Sequence, residues 1–286
     1  MRTRYWQRVL CALAASVALT GWAGVALAAD ADSDGIDDSV ESPGGAGISF
    51  GGRTYSPCSG TPQPGAARND CVSPTSKDIF IYLVRPAGGF VATTFQEGNV
   101  AAVFDFITRA RDAAGTGKVN GLGVGVHVAF VTTGVPAANR GLVTTPPTSQ
   151  KAVQIIADES PDSFVFGVAD QGTPSATGDA TVWPVKIKNY VVNGGGTEAV
   201  WTNFIKRTFS HELSHVAALT ASYDSRYGGN HYATGSGVVM DQSVVYNSKR
   251  KTFTIYDDYT TGDNPCLLMV NTANPLQCIG FAPVIN

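Results

Sequence analysis

The stretch "GTEAVWTNFIKRTFSHELSHVAAL", residues 196–219, restricts the fold more than any other part of the chain. Trp201, Ile205, Phe209, Leu213 and Val216 recur at helical spacing and form one apolar stripe, which predicts an amphipathic helix with one face in a core. Thr197 is placed to cap this helix, and Glu198 puts negative charge in its first turn. His211 and His215 stand four residues apart and so lie together on one side, about 120° round the helix from the centre of the stripe.

Two imidazoles one turn apart offer two nitrogens to a single zinc ion, at about 2.0–2.1 Å each. Glu212 lies between them and projects beside such an ion, where its carboxylate acts as the general base that takes a proton from a zinc-activated water. A catalytic zinc site also needs a third protein ligand, and the chain has only 4 histidines. His231 is the leading choice, because Gly228 and Gly229 let the backbone double back from the helix end. Asp224 is the rival. His127 falls inside the apolar alternation "GVGVHVAFV" and reads as a satisfied strand histidine. Met240, in "GVVMDQ", reads either as an ordinary buried methionine or as an apolar floor beneath a metal.

A second constellation opens the mature chain. In "DADSDGIDDSVE", residues 30–41, Asp30, Asp32, Asp34, Gly35, Asp38 and Glu41 fill positions 1, 3, 5, 6, 9 and 12 of a calcium loop, with the carbonyl of Ile36 at position 7. Alternating carboxylates converge on one hard cation, the glycine allows the sharp turn, and the glutamate closes the shell. The alternative is a solvated acidic terminus.

Ahead of that loop, Arg2, Arg4 and Arg8 precede an apolar run that ends in Ala26-Leu27-Ala28, so residues 1–28 read as a secretory signal peptide and the mature chain as secreted or periplasmic. Removing them takes away three arginines and leaves 17 basic against 23 acidic residues, a balance that argues against a nucleic-acid partner. No second long apolar run follows, so no membrane association is expected after cleavage, and a monomer is the expected state. In an oxidising compartment Cys58 with Cys71 and Cys266 with Cys278 read as local disulfides, each bracketing a loop rich in turn residues.

Residues 42–77 are rich in Gly, Pro and Ser and read as a linker containing a disulfide-closed loop. From there, residues 78–286 read as one catalytic domain. "DIFIYLV" (78–84) predicts a buried strand, 99–115 a helix with a glycine stop, and 121–134 a further strand. Residues 162–170 and 180–192 read as two more strands, the second placed at a sheet edge by Pro184. Strands interleaved with helices, with the long 196–219 helix after them, describe an α/β or α+β layered domain.

"HELSH", a further histidine and a methionine in a turn together resemble the zincin metallopeptidases, and the methionine leans towards the metzincin clan. The acidic loop resembles the thrombospondin type 3 calcium repeats found singly at the start of many bacterial secreted proteins. Asp224 to Gly228, "DSRYG", has the shape found around the aspartate ligand of the aspzincins, although there it lies further from the helix. The resemblance implies an α+β metallopeptidase domain with a twisted mixed sheet and a long active-site helix, a zinc- and calcium-dependent peptidase acting on a protein or peptide substrate, with His211, His215 and His231 on zinc and Glu212 as base. Tyr232 or Tyr227 would help to stabilise the developing oxyanion. The chain departs from the metzincin pattern where that pattern continues with glycine and a third histidine: here stand Ala218 and Ala221. Two other readings therefore stay open, a calcium-stabilised adhesion module on an inactive zincin scaffold and a zinc hydrolase of some other amide.

Overall fold

A computed structural model describes residues 30–32, 34–59, 70–95, 103–104, 107, 113–114, 118–119, 124–146, 150–161, 165–169, 179–216, 237, 239–240, 244–256 and 259–260. In chain order its elements begin with a short helix α1 (Asp38–Glu41), a hairpin of β1 (Ile48–Phe50) and β2 (Arg53–Tyr55), strand β3 (Asp78–Val84) and helix α2 (Phe90–Thr94). They continue with β4 (Ala113–Ala114), β5 (Lys118–Val119), β6 (Gly125–Val131), β7 (Val153–Ala157), β8 (Gly167–Ala169) and β9 (Asp179–Val182). Helices α3 (Pro184–Asn193) and α4 (Glu198–Val216) follow, then β10 (Val245–Asn247), β11 (Thr252–Thr254) and β12 (Tyr259–Thr260). No helix among the described residues is long and apolar enough to cross a membrane.

The main sheet runs β6-β3-β7-β9-β8, with β8 antiparallel to β9 and every other pair parallel. It is the mixed sheet of an α+β protein. Strand β3 is apolar on both faces, as a strand with cover on each side must be. Ile79, Ile81 and Leu83 point into one core with Phe204, Phe209 and Leu213 of α4. Phe80 points the other way, into a second core with Ile36, Val40, Ile48, Phe50 and Tyr55, and Tyr82 packs against that core. Phe50 and Tyr55 meet the ring of Phe80 edge-on at centroid separations of 5.2 and 5.8 Å, the favoured aromatic geometry.

This second core corrects the reading of 42–77 as a linker. The glycines there serve a tight turn, with Gly51 and Gly52 at φ 57° and 80° between β1 and β2, and the flanking apolar residues cover the back of the sheet. The disulfide Cys58–Cys71 is formed as expected. Cys266, Cys278 and residues 1–28 lie outside the described residues.

The strand expected over 180–192 is half strand and half helix. β9 ends at Val182, and Pro184 opens α3, because a proline at the first helical position loses no hydrogen bond and already has helical φ. Pro184, Ile187 and Val191, buried at spacings of three and four, are the helical signal in that stretch. Among the described residues the edge position therefore falls to β8 instead. Within 99–115, Val103, Phe104 and Ile107 are buried, but Ala113–Ala114 pair as a strand with Lys118–Val119, which corrects the expected helix to strand at those two residues.

Helix α4 takes the expected course. Trp201, Ile205, Phe209, Leu213 and Val216 are all buried, each contributing about 1.5–3 kcal/mol relative to exposure. The carbonyl of Thr197 accepts the amides of Val200 and Trp201 at the entry to the helix. The helix packs against α3, β8 and β9, and Phe204 meets Phe166 edge-on at 4.9 Å. Phe204→Ala should cost about 3–5 kcal/mol, read as a fall in the urea unfolding midpoint.

Candidate metal centres

The first centre lies on α4. His211, Glu212 and His215 bring one ligand atom each to within 4.8 Å of one another, and all three side chains are buried. The two Nε2 atoms are 3.0 Å apart. Two Zn–N bonds of about 2.05 Å at a tetrahedral angle would set them about 3.3 Å apart, so the observed spacing is within a few tenths of an ångström of what one ion requires. His211 Nδ1 lies 2.9 Å from the carbonyl oxygen of Val239, an acceptor only, so Nδ1 carries the proton and Nε2 keeps its lone pair. A backbone carbonyl behind the imidazole that fixes the tautomer is the usual support of a metal-ligating histidine. Without an ion, a neutral pair satisfies itself by His215 Nε2–H donating to His211 Nε2.

Val239 and Met240, both buried, follow Gly237 at φ 91°. The turn at Val239–Met240 thus reaches the imidazole through the Val239 carbonyl, a contact invisible in the sequence because main-chain acceptors carry no residue signature. His231, Asp224, Tyr227 and Tyr232 lie outside the described residues.

Burial pushes the Glu212 carboxyl up to about 8, against the opposing pull of the Arg207 guanidinium. Its side chain lies against the backbone of β8 at Gly167, where a Cβ would overlap the carboxylate. A glycine inside a strand often marks such a close approach, so "FGVAD" carried a signal that the strand reading did not use.

The second centre gathers the acidic residues of the N-terminal segment in two groups that share Asp34. Asp30, Asp32 and Asp34 form one, and Asp34, Glu41 and Asp78 the other, each with ligand atoms within 4.8 Å. The loop is held from within: Asp30 accepts the amides of Asp34 and Gly35, Asp32 that of Asp34, and Asp34 that of Ile36. Asp38, the expected ninth position, is in neither group; its Oδ1 accepts the Ala31 amide at 2.9 Å. Ile36 is buried in the second core, with its amide on Asp34.

Asp78 was not among the residues singled out in the sequence. It begins β3, and its Oδ1 lies 2.6 Å from Nε2 of His127 on the neighbouring strand β6, which is buried as expected for a strand histidine. A carboxylate next to an otherwise apolar buried strand was the available signal.

No protein-family model matches this chain, and no curated protein matches its sequence.

The contact between Gly167 and Glu212 has a thermodynamic signature. Gly167→Ala should destabilise the protein by about 1–3 kcal/mol through overpacking. In a Glu212→Ala background the same change should cost under about 0.5 kcal/mol, so a double-mutant cycle in urea should return a coupling of at least about 0.5 kcal/mol.

Proposed function

We propose that this chain is a secreted zinc-dependent metalloendopeptidase of metzincin-like fold. The observation that carries the reading is the buried His211–His215 pair, with Nε2 atoms 3.0 Å apart and the His211 tautomer fixed by the Val239 carbonyl. Glu212 stands in the same cluster. His211 and His215 would hold the zinc with His231 as third ligand, or Asp224 in its place. When bound, zinc lowers the pKa of a water and polarises a peptide carbonyl.

The chain's own residues supply the rest. Glu212 takes a proton from the attacking water and delivers it to the departing amine. The burial that raises its pKa makes its carboxylate a stronger base once ionised, and Arg207 favours that ionised form. Tyr232 is proposed as a donor to the developing oxyanion. An extended substrate would pair with β8, the last strand in the order of the main sheet among the described residues and the one whose backbone lies against Glu212.

Two experiments test this. Metal analysis of the purified mature chain should find one zinc, lost in His211→Ala and His231→Ala and kept in Asp224→Ala; the reverse pattern in the last two assigns Asp224 as ligand. Glu212→Gln should retain zinc while cleavage of a mixed peptide library falls by at least about a hundredfold. Full activity in that variant overturns the mechanism. Zinc without internal cleavage of any peptide would favour the adhesion module or a hydrolase of another amide.

A further inference from the structure

The acidic cluster at the back of the sheet reaches beyond the loop that supplies most of it. Glu41 ends α1 and is fully buried, yet neither of its carboxylate oxygens meets a hydrogen-bond donor among the described residues. Its polar surroundings are acidic: Asp34 and Asp78 stand beside it, the latter close enough to share a proton. A buried carboxylate without a donor costs several kcal/mol unless it is protonated or meets a cation.

Among the described residues, the ammonium buried in this region is that of Lys77, and it faces the other group. Lys77 Nζ donates to the main-chain carbonyl of Asp32, and burial lowers its pKa while Asp32, Asp34 and Asp30 raise it. One ammonium, with the His127 imidazole on Asp78 Oδ1, does not balance five carboxyls. The backbone around them is braced: Asp34 Oδ2 accepts the Asp78 amide at 2.8 Å, and Gln150 Nε2 donates to the carbonyls of both Asp34 and Asp78 at 2.7 Å. Asp78 Oδ2 also accepts the Ser73 amide at 3.1 Å. The site is therefore built before any ion enters it.

We propose that Asp34, Glu41 and Asp78 bind a calcium ion that fastens the N-terminal segment to the first residue of β3. The donors are all hard oxygens on anionic groups, with no nitrogen or sulfur among them, which selects calcium over zinc. Asp34 belongs to the loop and Asp78 to the sheet, so the ion joins two parts of the chain that share the second core. The inference is independent of the peptidase reading.

The test is calorimetric titration of calcium into the full mature chain after chelation and dialysis, with thermal melting beside it. Wild type should bind calcium and melt higher in its presence. Glu41→Gln and Asp78→Asn should each raise Kd by about tenfold or more, since each removes one anionic ligand. Asp70→Asn, at an exposed acid paired with Arg53 outside the cluster, should leave Kd within about twofold. Calcium binding of wild-type affinity in Asp78→Asn overturns the proposal and leaves the ion to Asp30, Asp32 and Asp34 alone. So does a wild type that binds no calcium. Should Asp78→Asn fail to fold, Glu41→Gln decides in the same titration, and an unchanged Kd there overturns the site equally.

Discussion

A strand covered on both faces must be apolar on both, and β3 meets that condition by sending Ile79, Ile81 and Leu83 one way and Phe80 and Tyr82 the other. The rest of the architecture depends on it. On one side the strand receives α4 with its histidines; on the other it receives the hairpin and the acidic segment. The residue just before the apolar run, Lys77, and the first within it, Asp78, are charged and buried, so polar partners had to be built there. His127, Ser73 and Gln150 partner Asp78, and the Asp32 carbonyl partners Lys77.

The same sheet explains why the two candidate metal centres differ in chemistry. The α4 centre draws its donors from a helix whose periodicity superposes His211 and His215, giving two nitrogens at a fixed spacing. The acidic centre draws on a loop whose carboxylates first bind their own backbone amides, giving a ring of oxygens. One arrangement suits a small ion with few ligands and the other a larger ion with many.

Periodicity made much of this legible from residues alone. The β3 strand and the buried face of α4 both stand where their spacing placed them, because each depends on local alternation that tertiary packing then rewards. Pro184 misled because proline is compatible with a strand edge and with the first turn of a helix, and only the burial of Ile187 and Val191 separates the two. The 42–77 stretch misled because turn residues outnumber the few apolar ones that cover the sheet. Asp78, Gly167 and the Val239 carbonyl act through space, across strands or through main chain, and such contacts leave no spacing to read.

Gly167 gives the α4 centre an unusual vulnerability. Its contribution is empty volume, since the Glu212 carboxylate occupies the place that a Cβ would take. Every other amino acid carries that atom, so position 167 has no conservative neighbour, and each possible replacement is a step in the same direction. Most positions around a reactive group drift through chemically similar alternatives. This one can only be kept or lost, so the room that the Glu212 carboxylate occupies hangs on a single residue identity.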